Sequence, residues 1–120
     1  MSLKKKNVRE AFRKAVFQRD RYTCRVCNRH GRCRQTGEKI MVGAMSLLDA
    51  HHICPRELMP HGGYVQENGV SLCEHCHKEA EDYLEQFGVD GPPGTFSPQG
   101  LYWKIGSSLE LAKASAEKLL

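Results

Sequence analysis

Two Cys-x-x-Cys pairs, Cys24-Arg-Val-Cys27 and Cys73-Glu-His-Cys76, stand 45 residues apart in a chain of 120. Each pair can turn two thiolates toward one cation, and together they complete the tetrahedral four-thiolate set that structural Zn²⁺ prefers. An ion held this way would tie the start of the chain to a segment well past its middle. That matters because a chain of this length, 40% apolar, buries only a modest core without a cross-link or a metal. Two disulfides or two redox pairs are the competing readings. The chain opens Met1-Ser-Leu-Lys-Lys-Lys with no apolar segment behind it, so it is expected to be soluble, not secreted, with its thiols reduced. No apolar run approaches the roughly 20 residues that a membrane span requires. Of the two remaining cysteines, Cys54 reads as a small buried hydrophobe, and Cys33 or His30 as a less favoured substitute ligand.

Between and around the pairs, the chain divides into recognisable segments. From Asn7 to Asp20 the apolar residues Val8, Phe12, Ala15 and Val16 recur at helical spacing, which predicts an amphipathic helix. Residues 21–48 read as irregular or hairpin-like, with Lys39–Val42 as a short strand candidate. Leu47–Ile53 is a second strand candidate, closed by Pro55, and Asn68-Gly69 reads as a turn. A helix is expected from about Cys73 to Phe87, ended by Gly88. Gly91-Pro-Pro-Gly94 reads as a linker, dividing residues 1–90 from a helical extension at 91–120. In that extension Ser97-Pro98 predicts a capped short helix ended by Gly106, and Ser107-Ser-Leu-Glu110 a capping box for a last helix to Leu120. Leu101, Tyr102 and Trp103 are its expected anchors. The whole reads as a small α+β unit with a helical tail.

Charge sharpens the picture once it is divided along the chain. The net charge is +4, but residues 1–39 hold 13 of the 18 basic residues against Glu10, Asp20 and Glu38, a local +10. The remaining 81 residues carry −6. Lys4, Arg9, Arg13, Lys14, Arg19, Arg21 and Arg25 belong to the basic segment, which reads as a footprint for a polyanion.

The chemistry-bearing residues lie between the cysteine pairs: Asp49-Ala-His51-His52-Ile-Cys-Pro55, then Asn68, then His77 directly after the second pair. With the flanking cysteines, these segments resemble the HNH endonuclease family over about residues 8–85. The resemblance implies a zinc-stapled ββα-metal fold with a His on a strand, an Asn in a loop and a His on the helix. It makes residues 1–90 an HNH nuclease domain. Physical reasoning points the same way. Adjacent strand residues face opposite sides, so His51 and His52 are expected to divide two tasks. Phosphodiester hydrolysis needs a base for water and a cation to neutralise developing charge, and a neutral imidazole suits the first near pH 7.

Carried over residue by residue, the family pattern makes His52 the general base and His51 and His77 the ligands of a catalytic divalent cation such as Mg²⁺ or Mn²⁺. Asn68 would hold the loop so that the base keeps its angle. Many family members have an acid directly before the catalytic His; here that position is His51, and Asp49 lies two residues before it. Asp49 shares a strand face with His51 and is expected to orient it, with direct support of the metal as the other option. Glu79 and Glu81 read as surface charges, with Glu81, one turn after His77, the better placed of the two to neighbour the metal site, while His61 and His75 are expected to be exposed.

Double-stranded DNA is the substrate the resemblance implies, and nicking by a monomer is the simplest outcome; a double-strand break would need two events or a homodimer. The family association places the chain in the cytoplasm of a prokaryotic or phage-infected cell. A zinc-stapled DNA-binding module without catalysis is the competing function. It would keep the cysteines and the basic helix but would have no need of His51, His52, Asn68 and His77 together.

Overall fold

The first element among the described residues is a long helix because Phe12, Val16 and Phe17 repeat on one face and all three become buried. In the computed structural model, which describes residues 5–119, this helix is α1 (Lys5–Arg19). Lys4 and Leu120, named above in the basic segment and the final helix, lie outside the described residues. Strand β1 (Gly31–Cys33) then pairs in parallel with β2 (Ser46–His52), and β2 pairs antiparallel with β3 (Gly69–Cys73). The sheet order is β1-β2-β3, and helix α2 (Glu74–Phe87) follows β3 without a break. Two further helices, α3 (Pro98–Lys104) and α4 (Leu109–Glu117), close the chain. Among the described residues no helix is long and apolar enough to cross a membrane.

The helix signals work as physical chemistry predicts. Gly88, at φ 70, ends α2 and donates its N–H to the Leu84 carbonyl, a position that favours a residue without Cβ. Ser97 Oγ accepts from the Gly100 N–H, with Pro98 in the first turn where its missing N–H costs nothing. The last cap is shifted by one residue: Ser108, not Ser107, accepts from the Leu111 N–H, because Ser107 Oγ is drawn away to donate to the Glu67 carbonyl.

Strands carry weaker local signals than helices in this chain. Lys39–Val42 is not a strand: Ile40, Met41 and Val42 are exposed, and a turn closed by the Ala44 N–H to the Met41 carbonyl occupies the site. β1 and β3 take their place. All five residues of β3 are buried, so it has no alternating pattern to betray it, and Gly69 opens the strand instead of closing a turn. Gly69 is required there for another reason, since a Cβ would come within 2.6 Å of the Phe12 ring and 2.5 Å of Val16.

One core runs through the whole unit. Phe17, Leu48, Ile53, Val70, Leu72 and Ala80 join Leu101, Tyr102, Ala112 and Ala116 of the last two helices. Leu101 and Tyr102 anchor this extension as expected, whereas Trp103 does not, being 80% exposed.

Candidate metal centre and active site

The four cysteines come together. Cys24 and Cys27 sit in a turn after α1, where the Cys24 N–H donates to the Arg29 carbonyl and the Asn28 N–H returns to the Cys24 carbonyl. Asn28 takes the left-handed conformation (φ 65) that this turn demands. Cys73 ends β3 and Cys76 lies in the first turn of α2. The four sulfur atoms all lie within 4.8 Å of one another, and Cys27 Sγ is 3.7 Å from Cys73 Sγ. Ligands about 2.3 Å from a tetrahedral Zn²⁺ stand about 3.8 Å apart, so the cluster can hold that ion. Burial and the neighbouring Cys24 push the Cys76 thiol well up, so a cation is what would let this crowded set ionise together. Cys33, His30 and Cys54 are not members: Cys33 donates to Gln35 and His30 pairs with Thr23.

Asp20 holds the first cysteine turn against the sheet, a role nothing in the sequence announced. It is buried, accepts from the Ser71 N–H at 2.9 Å, and pairs with Arg19 (2.8 Å) and Arg25 (3.3 Å). The Arg25 N–H donates to the Ser71 carbonyl alongside. Of the seven arginines and lysines named for the polyanion, six lie among the described residues, and two of these, Arg19 and Arg25, are engaged within the fold. Arg19 also donates to the Gln66 and Gly69 carbonyls, and Arg25 to that of Lys104. Arg9, Lys14 and Arg21 are exposed and Arg13 half-buried.

β2 presents the two histidines to different neighbours, as strand alternation requires. His51 is buried and its ring meets that of His77 edge-on, 5.1 Å between centroids. His52 lies between Phe12, stacked at 4.5 Å, and Tyr64, edge-on at 4.9 Å. Both still open on one cleft of about 780 Å³, which His77, Arg56 and Glu81 also line. Neither His51 Nε2 nor His52 Nε2 has a hydrogen-bond partner. Burial, then the charges of His77 and His52, holds His51 near pKa 3; burial, then Arg56, holds His52 near 4. Both rings are neutral at pH 7.

Asp49 serves His77, not His51. His77 Nδ1 donates to Asp49 Oδ2 at 3.3 Å, and Arg34 clamps the same carboxylate with two bonds of 2.8 and 3.1 Å. The Asp49 bond raises the His77 pKa against the opposing effect of burial, while Asp49 itself is held far below the usual carboxylate range. Glu81 reaches His77 Nε2 at 3.7 Å. His51 and His77 thus offer two ring nitrogens on one side of β2. Among the described residues the cysteine set is the one cluster of three or more such side chains within reach of a single ion.

Asn68 is fully buried and uses both ends of its amide. Its Nδ2 donates to the carbonyls of Cys54 (3.1 Å) and Gly63 (3.3 Å), and its Oδ1 accepts from the Cys54 N–H (3.0 Å) and the Tyr102 hydroxyl (2.6 Å). Gly63 allows this approach: at φ 68, a Cβ there would stand 2.8 Å from Asn68 Nδ2. The segment leaving His52 is therefore pinned two residues on. The parts played by Tyr64 and Arg34, and the bond from the anchor Tyr102 to Asn68, carry no local sequence signal because they depend on contacts 8 to 40 residues away. His61 and His75 are exposed, as expected.

Comparison of the chain with family models, curated proteins and solved structures returned no match.

Proposed function

We propose that this chain is a metal-dependent DNA endonuclease of the HNH type, stapled by one structural zinc at Cys24, Cys27, Cys73 and Cys76. The observation that carries this reading is the neutral His52 beside the His51–His77 pair, all three opening on one cleft. His52, which lines the cleft, accepts the proton of the attacking water at Nδ1, because its Nε2 is buried. The water oxygen bonds to phosphorus as the bond to the leaving oxygen breaks, and that oxygen takes a proton from solvent. A divalent cation held by His51 and His77 would neutralise charge on the phosphate and the leaving oxygen. His51 Nε2 and the Asp49-oriented His77 fit such a ligand pair, since Asp49 fixes one ring nitrogen and leaves the other for a ligand. Asn68 keeps the chain after His52 in register, and the exposed basic residues of α1 supply sequence-independent phosphate contacts.

The test is conversion of supercoiled plasmid to the nicked form with Mg²⁺, Mn²⁺ or Ni²⁺, beside His52→Ala. The expected loss in the variant is about 10²- to 10⁴-fold. If neither protein nicks with any of these metals, or both nick equally, the catalytic assignment fails.

A further inference from the structure

A second cleft, of about 460 Å³, adjoins the histidine cleft. Arg56 and Glu57 line both and form the ridge between them. Beyond the ridge the lining is rich in donors from three parts of the chain: Lys5 and Arg9 from α1, His61 from the Gly-rich turn, and Tyr64. Glu57 is the one carboxylate there. Arg56 donates to the Tyr64 hydroxyl at 3.0 Å, and the Tyr64 ring meets that of His52 edge-on. Burial alone would raise the Tyr64 pKa, but Arg56 and Arg9 bring it below its ordinary value, so both guanidinium groups act on this hydroxyl. Two guanidinium groups, an ammonium and a phenol facing one cavity are the donor set of an anion site.

We infer that this cleft binds a backbone phosphate of nucleic acid flanking the one presented to His52. The inference rests on the DNA-binding half of the function proposed above, and it adds Arg56, Tyr64 and His61 to a grip previously confined to the basic helix. A strand that places one phosphate in the histidine cleft crosses Arg56 to reach the next site. The contact fixes the register of the strand and reads no base.

The test is anisotropy of a labelled DNA duplex with the full chain, without added divalent cation, across a range of salt concentrations. Arg56→Gln is expected to raise Kd about tenfold at low salt and to lower the slope of log K against log salt by about one, the signature of one lost phosphate contact. Tyr64→Phe, which keeps the ring against His52 but removes the hydroxyl, is expected to raise Kd about threefold. Lys118→Gln, an exposed charge just after α4, serves as the control for net charge and should leave the slope unchanged. An unchanged slope in Arg56→Gln, or an equal fall in Lys118→Gln, overturns the subsite. Plasmid nicking by the same preparations separates the two claims. Binding with an Arg56-dependent slope but no nicking removes the endonuclease and keeps the subsite; nicking without that slope removes the subsite alone; no duplex binding removes both.

Discussion

The hydroxyl of Tyr102, on α3, donates a 2.6 Å hydrogen bond to Oδ1 of Asn68, 34 residues earlier. Both residues are buried, and burial pushes the Tyr102 hydroxyl pKa well up, so it remains a donor at any working pH. The C-terminal extension is thereby bonded to the side chain that pins the segment after His52. Ser107 and Ser115 reinforce the link through Glu67, at 2.9 Å each.

Tyr102→Phe should therefore cost about 1 to 2 kcal/mol of stability in urea unfolding, since it deletes one buried hydrogen bond while the Cys54 N–H still satisfies Asn68. Trp103→Ala, one residue on but exposed, should stay within about 0.5 kcal/mol of wild type. Equal losses at the two positions would mean that the extension is held by apolar burial in general and not by this bond.

Metal analysis of the purified chain should find one Zn²⁺, and Cys76→Ala should lose it together with cooperative unfolding, because binding at such a site is worth on the order of 10 kcal/mol. Cys33→Ala and His52→Ala should both retain it, as neither residue belongs to the cluster. A zinc-free native protein, or zinc loss in Cys33→Ala, would contradict the four-cysteine assignment.

Acid should destabilise the fold through the buried histidines. Unfolded His52 takes up a proton near pH 6.5, whereas in the fold burial, with Arg56, delays this to about pH 4. Between these values the unfolded chain binds more protons, so stability falls as pH drops from 6.5 toward 4. His51, delayed to about pH 3, acts in the same direction. His77, whose pKa the Asp49 bond raises, acts oppositely: its contribution is present below 6.5 and lost as pH rises through its folded value. Urea midpoints at pH 7 and pH 5, zinc present, should show a drop in wild type that shrinks in His52→Gln. An equal drop in both would exclude His52 as a source.

Much of the site was legible because its signals are local. The spacing within each cysteine pair reflects what a tight turn can present to one ion, and the pairs meet as expected. Strand alternation sends His51 to His77 and His52 to Phe12 and Tyr64, again a local rule. Helix caps at Ser97 and Gly88 obey the same logic. Asp49 shows where local reasoning stops. Its face on β2 was inferable, but whether it would meet His51 or His77 depended on where α2 lay across the sheet.

By itself, then, the sequence determined the meeting of the two cysteine pairs, the helix boundaries to within three residues, the division of the histidine doublet and the basic character of the N-terminal third. These follow from residue types at short separations, where backbone geometry leaves few choices. The tertiary structure alone decided that Arg19 and Arg25 turn inward to buried Asp20, that β3 is a fully buried strand, and that Tyr102 reaches Asn68. Each depends on which distant groups burial forces to satisfy one another. A buried carboxylate or amide must find partners wherever the packed chain supplies them.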